Sequence, residues 1–462
     1  MEQPTADGLR RTTALLSVAV LGFAVQQTAV VPAIQDIERS LHAPPEWSAW
    51  LVTLYLVVAT VATLALGRLA DLHGRRRMLL VGMVVFAVAS VGAAVAPSIL
   101  VLLLCRALQG IGGAVYPLAL SIARAHAPEG AATTAIALLT AAFGVGTAVG
   151  FVAGGLLSSY ASWRWIFVLG AVLVGAGVLM LWRGLEETEG RATGRFDLIG
   201  TAVLALSTVG LLAALTLAAG AGWSSPEVVG LLVLSAGSAG GWIAMQRRAV
   251  DPLIDLHVLS NRSVAAANLA TVAIGWSMFS AFLLVPRFAR LTPEHSAYGL
   301  GADSAMVGLI LLPIAVGQIV ASLAAGRLIG RVGATVVLGT ALLVLAAAGA
   351  VLAVDRTSVP LTLLGTLLLG LGAGSGLQSG SAVATEAVAP DVAGISASVN
   401  STTRRLAGGV GGQVSVLVLT AFAAGSTLRP SGFTIAYLVG VGLCVVGVTV
   451  TVSVRLFARS TA

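Results

Sequence analysis

Apolar blocks of about twenty or more residues, separated by short polar turns, recur along the whole chain. With about 20 apolar residues taken as the length of a membrane-crossing helix, they predict fourteen spans. These fall near 12–35, 46–70, 78–96, 98–124, 131–158, 164–184, 198–219, 227–246, 262–287, 303–328, 333–353, 360–386, 391–423 and 432–457. The fold class expected is an all-α integral membrane protein. Arg10 and Arg11 precede a first block without an Ala-x-Ala-like exit, which reads as an uncleaved span rather than a signal peptide.

Composition agrees and narrows the function. Hydrophobic residues make up 57% of 462 positions and charged ones 10%, far from the soluble balance of about half and a quarter. The net charge of +7 is spread over the turns, so no nucleic-acid partner is implied. With the N-terminus inside, seventeen of the 26 arginines fall on inner segments, six on outer ones and three within spans, which predicts that both termini are cytoplasmic. The chain has no lysine, which excludes a phosphate-loop ATPase, so energy must come from a gradient or another chain. Cys105 and Cys444 lie inside spans and form no disulfide framework. No metal cluster or nucleophile constellation is visible, and no histidine lies in a span. An enzyme activity and a cofactor therefore have no support.

Residues 67–77, Gly-Arg-Leu-Ala-Asp-Leu-His-Gly-Arg-Arg-Arg, form a tight turn between the second and third spans. Gly67 is expected to let a helix end close on a neighbour, and Gly74 to supply the left-handed conformation of a short reversal. Asp71 sits among Arg68, Arg75, Arg76 and Arg77. A degenerate copy, Gly326-Arg327-Leu328-Ile329-Gly330-Arg331-Val332-Gly333, lies 259 residues downstream with Gly330 in the place of Asp71. A second repeat pairs His126-Ala127-Pro128-Glu129 with Val388-Ala389-Pro390-Asp391. Positive-inside bias explains the arginines alone, but not the repeated glycine spacing.

The turn resembles the signature loop of the major facilitator superfamily, Gly-x-Leu-x-Asp-x-x-Gly-Arg-Arg. That resemblance implies a secondary transporter of two six-helix halves, with the substrate between them near the bilayer midplane. Two spans are then left over. The segment Arg195-Phe196-Asp197-Leu198-Ile199-Gly200, the Gly222-Trp223 turn and the Arg248-Ala249-Val250-Asp251-Pro252-Leu253 exit resemble the linker pair of the fourteen-helix drug/proton antiporter branch. The expected domains are an N-terminal half over 1–196, an inserted two-helix linker over 197–250 and a C-terminal half over 251–462.

Several residues are candidates for function. Arg106 and Gln109, in Leu103-Leu104-Cys105-Arg106-Ala107-Leu108-Gln109-Gly110, resemble the family's second motif. An arginine inside a span costs at least about 2.5–3.5 kcal/mol, so it should face a cavity or a partner, although helix packing could also satisfy it. Gly146, Gly150 and Gly154 put small residues on one face of the fifth span. With Gly155 they resemble the antiporter motif Gly-x-x-x-Gly-Pro-x-x-Gly-Gly, in which Phe151 replaces the proline. In the thirteenth span Asn400 precedes Arg404 and Arg405, which cannot point the same way because successive residues differ by about 100°. Gln26, Tyr55, Trp276, Gln318 and Gln378 complete a candidate set for a polar-lined cavity, each as readily explained by packing. Gln26 occupies the place where the branch often has an acid.

All nineteen acids lie at span ends, in tails or in loops. Arg106, Arg404 and Arg405 are then the central charges, so the expected substrate is a neutral or anionic small molecule. A coupled proton would ride on the substrate or on Asp36, Asp71 or Glu386. The leading expectation is an exporter of drugs or secondary metabolites in the bacterial inner membrane, coupled to proton entry and working as a monomer. A uniporter or importer of the same fold, and a transport-inactive sensor or scaffold, stay open as alternatives.

Overall fold

A computed structural model describes residues 6–126, 132–186, 197–249, 261–292, 298–355, 357–389, 392–423 and 428–460. The helices are α1 Ala6–Ser40, α2 Pro45–His73, α3 Arg75–Ala94, α4 Ile99–Gly110, α5 Val115–Ala125, α6 Ala132–Tyr160, α7 Arg164–Gly184, α8 Leu198–Ala221 and α9 Pro226–Arg248. They continue as α10 Arg262–Arg290, α11 Ser304–Val332, α12 Ala334–Val354, α13 Val359–Glu386, α14 Ala393–Ala421 and α15 Pro430–Ser460. There is no strand among the described residues. The predicted linker stretches 187–196 and 250–260, and the prolines of the second repeat, lie outside them.

Among the described residues, thirteen stretches are long and apolar enough to cross a membrane. Each predicted span is helical, but α14 escapes that criterion because its first half, through Asn400, Arg404 and Arg405, is polar. It is nevertheless 29 residues long and packs between α2, α8 and α10. Its polar groups face protein, which is how a membrane helix tolerates them. The fourth span is interrupted by a 3-10 turn at Ile111–Ala114 between α4 and α5. Gly110, Gly112 and Gly113 bring that turn against Val58, Phe86 and Ala59, where a Cβ would collide.

The internal repeat reappears as packing. α1 lies along α6, α3 along α7 and α2 along α4 in the first six spans; α10 lies along α14, α12 along α15 and α11 along α13 in the last six. The two halves meet along two seams, α2 with α14 and α6 with α11. α8 and α9 form a hairpin whose α8 packs against α2 and α14, one helix from each half. Its Thr216 accepts from Trp50 Nε1 at 2.8 Å, donates to Leu212 O at 2.9 Å and lies 3.5 Å from Gln413 Oε1, so the inserted pair touches both sides of one seam. Outward faces carry Val88, Val95 and Leu104, each about two-thirds exposed or more, as expected of surfaces solvated by lipid.

Gly74 has φ 101° and ψ 135°, and Gly333, its counterpart in the repeat, has φ 87° and ψ 149°. Both are positive-φ reversals that a side chain would strain. The end of the bundle bearing these turns is called the basic end below, and the opposite one the far end.

Candidate functional site

At the far end the halves are joined through one carboxylate. Asp36, one turn before the end of α1, pairs with Arg290 at 2.8 Å at the end of α10. Ser158 of α6 donates to Asp36 Oδ2 at 2.5 Å, and Ser304 of α11 donates to the same oxygen and accepts from Arg290. Four helices, two from each half, thus converge on Asp36. A second cross-half pair joins Glu38 and Arg287 at 3.4 Å. Asp303 caps α11 through Met306 N and accepts from Ser159 of α6, whose hydroxyl also receives Ala305 N at 2.8 Å. Charge-assisted bonds of this kind are about twice as strong as neutral ones.

Below this junction the seam is apolar. Phe151 is fully buried on α6, and its ring meets Phe282 of α10 edge-on at 5.6 Å, with Phe279 in turn edge-on to Phe282 at 5.4 Å. The residue that stands in for the motif proline therefore packs across the two halves. A cavity of about 20 Å³, room for one water molecule, lies beside these rings and is lined by Gln27, Thr28, Tyr55, Arg106, Phe279 and Phe282 among others.

Arg106 is 1% exposed. Its Nε donates to Leu51 O at 2.9 Å, its Nη1 to Gln109 Oε1 at 2.8 Å, and its guanidinium lies 4.5 Å from the centre of the Tyr55 ring. Gln109 Nε2 in turn donates to Ser90 Oγ at 2.7 Å, and Ser90 to Phe86 O. The fourth span thus presents its arginine to the second span's ring, with a relay of hydrogen bonds into α3 holding its orientation. This is a cation satisfied by protein and touching the cavity with one edge.

The two adjacent arginines of α14 divide as helical geometry requires. Arg405 crosses the seam, donating to Ala59 O at 2.9 Å, to Thr63 Oγ1 at 2.5 Å and to Gly113 O. Arg404 turns toward the Tyr116 side of the first half, within electrostatic range of that ring, which is itself bonded to Thr140 at 3.0 Å. Of the two, Arg405 is the one whose hydrogen bonds cross between the halves.

Several of the candidates are placed elsewhere. Gln26 is fully buried with its amide against Gly170 of α7, so it packs α1 on α7 while its neighbours Gln27 and Thr28 reach the cavity. Trp276 fills the space between Gly411 of α14 and Gly440 of α15, inside the second half. Asn400 donates to Thr271 Oγ1 at 2.8 Å and faces Asn268, tying α14 to α10. The Gln318 backbone lies against Gly374, and Gln378 is exposed one turn further along α13. None of these five lines the cavity. Phe279, Phe282 and the far-end serines carry no ionisable or motif signal in the sequence, and Tyr116 lies in no motif. The only clue to the first two was an aromatic pair at i, i+3.

The glycine stripe closes on α1. A Cβ at Gly146 would lie 2.6 Å from Leu21 O, one at Gly150 would strike Thr28 and Val25 O, and one at Gly154 would strike Ala29 O. Gly155 packs in the same way on Ser304 across the seam. At the basic end the turn is looser than expected. Gly67, Gly326 and Gly330 face open space within 4 Å, so Gly67 closes on no neighbour in this conformation. Asp71 is half exposed and pairs with Arg75 at 3.7 Å within its own turn. Arg75 also reaches Ser121 O, and Arg76 reaches Trp182 O at 2.6 Å. Among the described residues, the cross-half bonds run from the far end, through Asp36 and Glu38, to mid-depth at Arg405.

Comparison with known proteins places this geometry. The profile of the Major Facilitator Superfamily matches residues 16–412. A lincomycin resistance protein of Streptomyces lincolnensis is 31% identical over 440 residues, 94% of this chain and 89% of the relative. A multidrug resistance protein of Mycobacterium tuberculosis is 30% identical over 86% of this chain and 73% of its own length. A puromycin resistance protein of Streptomyces alboniger is 31% identical over 89% and 81%. Among solved structures, a peptide transporter, POT, bound to sulfate superposes with a TM-score of 0.73 at 14% identity, covering 99% of this chain and 96% of that one. The nucleoside transporter NupG gives 0.67 at 14%, covering 96% and 98%. With two matched halves, a cationic centre and a multi-pass helical bundle, this chain belongs to the Major Facilitator Superfamily.

Proposed function

We propose that the chain is a secondary active exporter of drugs or secondary metabolites, working by alternating access in the bacterial cytoplasmic membrane. The basic end faces the cytoplasm, as the arginine bias requires, and the halves divide near residues 196 and 250. The resistance and export names of its relatives support the drug class. The observation that carries the substrate's charge is the mid-depth trio Arg106, Arg404 and Arg405. No acid lies in the central section of any described helix, so a desolvated cation would meet positive charge without an anionic partner. The substrate is therefore neutral or anionic, and Arg404 is its first contact from the cytoplasm. The far-end junction of Asp36 with Ser158, Arg290 and Ser304 supports a state closed on the outer side. Protons drive export, and the acid positioned to couple them to movement of the halves is Asp36 rather than Asp71 or Glu386.

Proteoliposomes with an imposed pH gradient test this reading. Neutral and weakly acidic compounds should be moved and quaternary ammonium dyes left behind. Gradient-driven transport of a quaternary cation would overturn the charge assignment, and protection of a pump-deficient host by none of a compound panel would overturn export.

A further inference from the structure

Arg404 lies about 17 Å along α14, near the middle of that helix, on the side turned to Tyr116 of the first half. Its neighbour Arg405 gives its N–H groups to Ala59 O, Thr63 Oγ1 and Gly113 O, and Arg106 is held by Leu51 O and Gln109. Among the described residues Arg404 alone of the three has no hydrogen bond and no ion pair. The ionisable groups that act on it are Arg405, of like charge, and the Tyr116 phenol. Arg404 is partly exposed, whereas Arg106 is buried. A guanidinium carried to this depth without an acceptor keeps its N–H donors for a ligand.

The first half offers an aromatic pair on this side. Tyr116 of α5 and Phe143 of α6 meet at a tilt of 38° with ring centres 4.8 Å apart, and both are partly exposed. Thr140 donates to Ile136 O at 2.8 Å, so the Tyr116 hydroxyl donates to Thr140, at 3.0 Å. The ring is thus held by Thr140 and Phe143. α14 meets the first half along α2 and packs along neither α5 nor α6, so Arg404 and the ring stand on helices that do not close on each other. We propose that Arg404 and the Tyr116–Phe143 pair form a subsite for an aromatic carboxylate, held between the halves. One guanidinium fork takes one carboxylate through two parallel hydrogen bonds, and the ring that bears it lies on the aromatic pair. Charge selects the acid over its ester, and the like charges of Arg404 and Arg405 reject a cation. The inference rests on the transport path running between the halves, and it narrows the substrate class there to an aromatic acid.

Equilibrium binding to the purified full chain in neutral detergent tests it. The probes are 9-anthracenecarboxylate, its methyl ester and 9-anthracenemethylammonium, read by fluorescence anisotropy. The carboxylate should bind at least about tenfold more tightly than the ester, the gain expected of one hydrogen bond to a charged group, and the ammonium more weakly than either. Arg404→Gln should equalise acid and ester, and should unfold at the native temperature or above, since it removes a charge that bonds to nothing in the chain. Tyr116→Leu should weaken acid and ester alike by about threefold, and Tyr116→Phe, which keeps the ring, should bind both more tightly than Tyr116→Leu. Equal binding of acid and ester by the native chain, a preference that survives Arg404→Gln, or full affinity in Tyr116→Leu would each overturn the subsite. Should Arg404→Gln fail to fold, Arg404→Lys, which keeps the charge without the fork, takes its place and should lower the preference. Binding in detergent needs no gradient, so failure of export with the acid preference intact would overturn the exporter reading alone.

Discussion

Asp36 and Arg290 stand 2.8 Å apart on opposite halves of the bundle, and the same carboxylate accepts from Ser158 and Ser304. The side chains are 23% and 11% exposed, so both charges give up most of their water to be there. Hydrogen bonds to a charged group contribute about 1.5–3 kcal/mol each. Asp36→Asn should therefore move the population away from the far-closed state by about tenfold or more. Single cysteines at far-end positions of α1 and α10, in a background lacking Cys105 and Cys444, would report it. Their reaction with a membrane-impermeant thiol reagent should speed up in Asp36→Asn and in Arg290→Gln, and stay unchanged in Asp71→Asn. Equal rates in all three would remove Asp36 from the closure.

Arg106 and Tyr55 make a separable prediction. The Tyr55 hydroxyl has no hydrogen-bond partner among the described residues, while its ring lies over the guanidinium. Tyr55→Phe should consequently leave stability and transport near the native level. Tyr55→Leu should cost about 2 kcal/mol through loss of a desolvated cation–π contact. Thermal unfolding in detergent compares the two directly. Arg106→Lys keeps the charge but not the fork to Leu51 O and Gln109, and should lose transport rather than expression.

Glycine substitutions should sort by what lies opposite. Gly150→Ala drives a methyl into Thr28 and Val25 and should abolish folded protein, whereas Gly230→Ala and Gly237→Ala, with nothing within 4 Å, should be accepted. Yield of monodisperse protein on size exclusion is the readout. Phe151→Ala should cost about 3–5 kcal/mol, the usual effect of truncating a buried aromatic ring. Restoring the motif's proline at this position should be no milder, because it removes the cross-half ring contact with Phe282. A Phe151→Pro variant with native transport would show that this contact is dispensable.

The Trp50–Thr216–Gln413 chain predicts that the inserted helices brace the halves. Thr216→Val leaves the buried Trp50 N–H without its acceptor, a loss of about 1–3 kcal/mol. Trp50→Phe removes donor and need together and should be milder than Thr216→Val. Cysteines on α8 and α9 should show no protection by substrate, since neither helix lines the cavity. A substrate-protected position on either helix would contradict the bracing role.

The sequence by itself determined the fourteen spans, the repeat and the family, because each depends on local content. Apolar length sets a span, and glycine at a reversal sets a turn, which is why Gly74 and Gly333 share one backbone conformation. A buried arginine is costly wherever it points, so Arg106, Arg404 and Arg405 could be picked out without a partner in view. Direction was not legible. Gln26 and Gln27 are chemically alike and adjacent, yet one packs on Gly170 and the other reaches the cavity, because a helix turns about 100° per residue. Trp276 and Asn400 read as central by depth, but depth along a helix does not tell which neighbour a side chain meets. Only the tertiary structure decided that Phe151 packs across the seam, that Arg405 reaches Ala59, and that Asp36 gathers Ser158, Arg290 and Ser304. These contacts join residues more than one hundred positions apart, and the physics that couples them acts through space after the halves have closed.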